Sequence, residues 1–277
     1  QEAKAAGGLN HPAIVTIHDV GRERGMVWMA MELVEGTELR HLLVTGRITI
    51  DRALDIALQV ADGIAFAHDH RVIHRHIKPA NIMLLRGGQV KIMDFGIARL
   101  WISDVKTQTG MLLGSPKYMS PEQAVGSAVD QRSDIFSLGV VLYEMLTGAA
   151  PFSGHDVPQL LYNVATEIVD PPSATNRSVP EILDLIVAKA LAKEAADRYA
   201  DARALHADLL ACRRQLAESS QPEAAIGATV ALAPPRTPAQ AARANAAPAT
   251  LAGTDAALRL PLSRRFDAAA TLSHLRY

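Results

Sequence analysis

The stretch HRHIKPANIMLL, residues 74–85, is followed at once by RGG (86–88), QVKIM (89–93) and DFG (94–96). NIMLL and QVKIM are short apolar runs enclosing two adjacent glycines, which predicts a β-hairpin with its turn at the glycines. Paired strands lie side by side, so residues at the open ends of such a hairpin meet. Those residues are Asn81 at the entrance and Asp94 at the exit. An amide oxygen beside a carboxylate could share one hard metal ion. Lys78, three residues before Asn81, reaches the same area. A cation site beside a lysine fits phosphate chemistry, in which metal and ammonium together neutralise charge on phosphate oxygens.

Outward from the hairpin the chain alternates readable elements. From Asp51 to His70 the apolar residues Ala53, Leu54, Ala57, Val60, Ala61, Ile64 and Ala67 recur at helical spacing, with Thr49 or Asp51 as the cap. Residues 13–20 and 26–34 are β-rich runs around GRERG and predict an antiparallel pair. Helices are expected at about 132–148, 156–167, 180–193 and 201–217. The last carries Leu205, Leu209, Cys212 and Leu216 on one face, which makes Cys212 a small core residue. The opening segment QEAKAAGGL reads as the end of a helix. After residue 217 the composition turns to Ala, Pro and Thr, too poor in large apolar groups to offset chain entropy, so 218–277 is expected to be a flexible linker and tail.

Composition excludes several classes. With 28 Lys+Arg against 29 Asp+Glu, nothing electrostatic points to nucleic acid or anionic lipid. One cysteine forbids an internal disulfide and suits a reducing, cytoplasmic setting. No apolar run reaches the roughly 20 residues that cross a bilayer. The nearest, FSLGVVLYEMLTGAAPF at 136–152, contains Tyr143 and Glu144 and reads as a buried helix. The start has no signal-peptide layout and reads as a cut.

HRHIKPAN, DFG, GSPKYMSPE at 114–122, SDIFSLG at 133–139 and DRY at 197–199 stand in one order and spacing. Over about residues 1–217 the sequence resembles the bacterial (Hanks-type) serine/threonine protein kinases. The resemblance implies an α+β fold with a mostly helical large lobe (36–217) and a partial small lobe (1–35). It implies ATP and Mg2+ as cofactors, and protein substrates or signalling partners. Asp94 and Asn81 then resemble the magnesium ligands, and Lys78 the side chain that contacts the transferred phosphate. Phe95 and Gly96 complete the switch after the metal ligand. Glu2 resembles the helix glutamate that pairs with the nucleotide-binding lysine. Glu32 to Val34 resemble the adenine hinge, with Met31 as gatekeeper and Met83 beneath the base. Thr107 and Thr109 resemble activation-loop phosphorylation sites, with Arg75 as their phosphate partner. Glu122 and Arg198 resemble a buried ion pair, Asp134 the carboxylate that holds the catalytic loop, and His74 a structural packing residue.

Two departures qualify the resemblance. His76 occupies the position of the catalytic aspartate. A neutral imidazole can accept a proton, but it offers one acceptor instead of two and no negative charge, so phosphoryl transfer is expected to be impaired. The Gly-rich loop and strand lysine of the family would lie before Gln1, so the chain reads as truncated. Three functional classes follow: an impaired serine/threonine kinase, a pseudokinase acting as a protein-binding module or scaffold, and, least favoured, a transition-metal site at His68, His70, His74 and His76.

Overall fold

The computed structural model describes residues 8–24, 26–46, 48–95 and 115–219, without the side chain of Val27. Two strands open it, β1 (Ile17–Glu23) and β2 (Met26–Met31), antiparallel from Ile17 opposite Met31 to Glu23 opposite Met26. Arg24 lies in the tight connection with φ 50°, a conformation such turns require. The sequence places the first strand from residue 13, and the structure corrects this. Ala13, Ile14 and Val15 are all buried, a run without alternation, and they lie alongside a different strand. Both strands also end differently from expectation, the second at Met31 instead of 34.

Next come β3 (Gly36–Glu38) and helix α1 (Leu39–Thr45), neither evident in the sequence. Glu38 gives α1 no side-chain cap and only Leu39 is buried, so neither end signal nor periodicity marks it. Helix α2 (Ile50–Asp69) begins where Thr49 Oγ1 accepts from Arg52 N. Its seven predicted core positions are fully buried. The expected hairpin follows as β4 (Ile82–Leu85) and β5 (Val90–Ile92), in a sheet ordered β3-β4-β5. Gly87 and Gly88, with φ 92° and 93°, make its turn in a region a side chain would resist. Segment 13–15 lies parallel to β5, with Val15 N donating to Ile92 O and Ile92 N to Ala13 O.

The rest is helical: α3 (Pro121–Ala124), α4 (Arg132–Thr147), α5 (Val157–Thr166), α6 (Pro172–Thr175), α7 (Glu181–Ala190) and α8 (Ala202–Ser219). Helix α4 is buried from Ser133 to Thr147 and stops at Gly148, whose φ of 83° is the left-handed ending typical of glycine. It contacts both α2 and α7. At Gly139 even a Cβ would stand 2.9 Å from Ala190 Cβ, so the α4–α7 approach depends on the missing side chain. Helix α8 covers α2 and α7, with Leu205, Leu209 and Cys212 buried. Among the described residues no helix is long and apolar enough to cross a membrane.

Candidate active site

Asp134, in the first turn of α4, organises the loop before the hairpin. Its Oδ2 accepts from His68 Nε2 and His74 N, both at 2.8 Å, and its Oδ1 from Arg75 N at 2.6 Å. Burial alone would raise its pKa, but the His68 hydrogen bond and charge, with His74 and its amide, hold it below the usual carboxylate value. His74 and Arg75 are thus tied to the core helix through their backbone amides.

His74 extends the network to the far end of the hairpin. Its Nδ1 accepts from His76 N at 3.1 Å, and Nε2 lies 2.8 Å from Met93 O. Both contacts are satisfied only by a neutral ring carrying its proton on Nε2. Burial, the largest influence, lowers the His74 pKa and keeps the ring neutral. The ring also meets Phe95 edge-on, centroids 4.6 Å apart. The chain pays for this junction locally: Arg75 and Asp94 adopt φ of 68° and 63°, unusual for residues with a side chain.

The hairpin's open ends come together as the register requires. Ile82 pairs with Ile92, and Met93 N donates to Asn81 O at 2.8 Å, so the backbones of Asn81 and Asp94 lie on either side of one short junction. Asn81 is buried and its Nδ2 donates to His76 O at 3.0 Å, which orients the amide oxygen as the acceptor. Asp94 is exposed. Asn81 and Asp94 thus bring to this junction an amide oxygen and a carboxylate, the ligand types a hard cation takes. His76 is half-buried, and burial, followed by the charges of His74 and Lys78, lowers its pKa. It shares a shallow cleft with Arg75, Lys78, Ser115 and Tyr118.

Of the nucleotide-side residues, Met31 is partly exposed, and Glu32, Val34 and Met83 are half-buried. Glu32 pairs at 2.6 Å with Lys91, which also donates to Ile14 O at 3.0 Å. Burial would raise the Glu32 pKa, but the Lys91 bond and charge, with Thr16, bring it below normal. Lys91 ties the segments around 14, 32 and 91 together; its place mid-strand in QVKIM gave no signal of this. Glu122 and Arg198 form a bidentate pair, both contacts 2.8 Å, and Arg198 also donates to the carbonyls of Ala192, Arg132 and Lys193. His68 and Gln123, whose Nε2 donates to Arg75 O, also support the loop. Glu2, Gly96, Thr107 and Thr109 lie outside the described residues. The four-histidine metal reading does not fit: His68 and His74 are committed to Asp134 and Met93, His70 Nδ1 to Phe66 O. No cluster of metal-ligating side chains occurs among the described residues.

Residues 1–210 match the family model described as the protein kinase domain. The chain belongs to the protein kinase domain family. The kinase match extends to relatives with that name. It is 44% identical over 218 residues to serine/threonine-protein kinase PknB of Mycolicibacterium smegmatis, covering 76% of this chain and 35% of that protein. Identity to PknB of Mycobacterium tuberculosis is 43% over 218 residues, with the same coverage. A probable serine/threonine-protein kinase of Streptomyces coelicolor is 40% identical over 239 residues, 84% of this chain and 34% of its own length. The chain spans about a third of the length of these curated relatives. Kinases of this family generally use ATP and Mg2+ and act on proteins.

Proposed function

We propose that this chain carries the large lobe of a serine/threonine protein kinase whose phosphoryl transfer is impaired at His76. Residues 1–35 belong to the small lobe, 36–217 form the large lobe and 218–277 a linker, in a cytoplasmic protein. The observation that carries the reading is the junction at the hairpin's open ends, where Met93 N binds Asn81 O and Asn81 Nδ2 binds His76 O. Asn81 Oδ1 and the Asp94 carboxylate would hold Mg2+, which supplies neutralisation of charge on the ATP phosphates. Lys78 presents an ammonium to the transferred group. Met31, Glu32, Val34 and Met83 would line the adenine site, and Glu2 would meet the nucleotide-binding lysine. Arg75 would receive a phosphate on Thr107 or Thr109. Gly96 follows Phe95 as the switch glycine.

His76 then stands where the substrate hydroxyl must be oriented and relieved of its proton. Held neutral by burial, its imidazole offers one nitrogen acceptor and no charge, so transfer is slow instead of absent. A second reading, a pseudokinase that binds or scaffolds a protein partner, is favoured by the same residue, because the Asp134–His74 framework stays intact without a working base. Calorimetry with MgATP tests the metal and nucleotide assignment on the natural protein. Binding that requires Mg2+ and weakens about tenfold or more in Asp94→Asn supports it. Binding equal in Asp94→Asn, or none at all, removes the enzyme reading and leaves the scaffold.

A further inference from the structure

Away from the 74–94 region, the loop 167–172 and helix α7 enclose a cavity of about 260 Å3. Its lining combines the apolar Val169, Pro172, Val187 and Leu191 with three acidic residues, Glu167, Asp170 and Asp184. The cavity is shaped by fixed contacts. Asp184 Oδ1 accepts from Ser173 N at 2.9 Å, Asn176 Nδ2 donates to Leu146 O at 2.8 Å, and two consecutive prolines, Pro171 and Pro172, restrict the loop. Lys193, the cationic member of the lining, donates to Val164 O at 2.7 Å and sits 4.1 Å over the Phe152 ring. Its ammonium is therefore engaged by the fold, and burial lowers its pKa to about 8. Ile168, also in the lining, is 89% exposed and gives the cavity an apolar lip.

We propose that this pocket docks a partner protein's segment, which inserts one large apolar side chain and sets Lys or Arg against the carboxylate rim. At about 260 Å3 the cavity lies below the roughly 300–1,000 Å3 of pockets for drug-sized ligands and has room for a single inserted side chain. An anchor ring filling a preformed apolar hole, surrounded by weaker contacts, is the usual source of affinity at protein interfaces. The exposed Ile168 extends the contact beyond the anchor. Three carboxylates against one engaged ammonium make the mouth acidic, which selects a basic segment and steers its approach. None of the lining residues takes part in the Asn81–Asp94 junction, so the site stands whether or not the chain transfers phosphate.

The test uses a fluorescent Lys-Arg-Trp-Arg-Lys peptide followed by anisotropy. Saturable binding is expected, about tenfold weaker when the peptide's Trp is Ala and weaker as salt rises. Glu167→Lys and Asp170→Lys, both exposed positions, are each expected to weaken it several-fold without changing Tm. Ala188→Arg, an exposed lining residue, is expected to abolish it by filling the mouth. No saturable binding overturns the proposal. So does binding that survives Ala188→Arg in a chain of unchanged Tm, since that reports attraction to acidic surface without insertion.

Discussion

Glu122→Gln is expected to destabilise the large lobe by about 3 kcal/mol. The Arg198 side chain is fully buried and Glu122 only 13% exposed, so the pair is held largely out of water. Burial pushes the Glu122 carboxyl up, but hydrogen bonds from Arg198 and Ser133 bring it from 4.5 down to about 2. That gap corresponds to about 3 kcal/mol, at about 1.4 kcal/mol per pH unit. It agrees with the roughly 3–5 kcal/mol observed when one half of a buried pair is removed. Glutamine keeps the size but leaves the guanidinium without its counter-charge. The carboxyl's folded pKa lies below its unfolded one, so the contribution is complete above about 4.5 and disappears as pH falls toward 2. Urea unfolding at pH 7.5 and pH 3 measures both effects. A loss under about 1 kcal/mol at pH 7.5, or a loss equally large at pH 3, refutes the reasoning, because the charge would then not be the stabilising element.

Three further outcomes follow from the same contacts. His74 and His76 both have lowered pKa values, so the unfolded chain binds protons near pH 6.5 that the folded chain refuses. Stability should therefore fall below pH 6.5 by up to about 1.4 kcal/mol per pH unit for each, and a flat urea midpoint between pH 7.5 and 5.5 contradicts this. Asp134→Asn leaves an amide with one acceptor oxygen for three donors, which should cost about 2–4 kcal/mol and speed hydrogen exchange at the Arg75 amide; unchanged exchange there rejects the hub role. Gly139→Val should cost about 1–3 kcal/mol in thermal unfolding by forcing α4 from α7, and a neutral result would mean that the helices part easily.

The long elements were legible because their signals are local. The α2 stripe and the glycine turn of β4–β5 are written in spacing alone. The segment 13–15 was misread as the start of a strand paired with 26–34 because its β-rich composition does not say which neighbour it joins; burial against β5 decides that. Helix α1 stayed hidden because seven residues without a cap carry too little periodicity. Within the site, Asn81 and Asp94 followed from hairpin geometry and Asp134's hold on the loop from the resemblance, but the ring partners of His74 and the His68–Asp134 bond did not. His68 and Asp134 lie 66 residues apart, and nothing in either local sequence states that an imidazole on α2 will meet a carboxylate on α4. The lowered pKa of His76 owes most to burial, which no local spacing announces.

The most direct measurement is phosphate transfer from ATP to a serine or threonine peptide by the natural protein and its His76→Asp variant, with Asp94→Asn in the variant background as the metal-site control. Restoring a carboxylate where the structure holds a neutral imidazole should raise the rate by about a hundredfold or more, and Asp94→Asn should remove the gain. Equal rates for His76 and Asp at that position, or a gain that survives Asp94→Asn, would contradict the account.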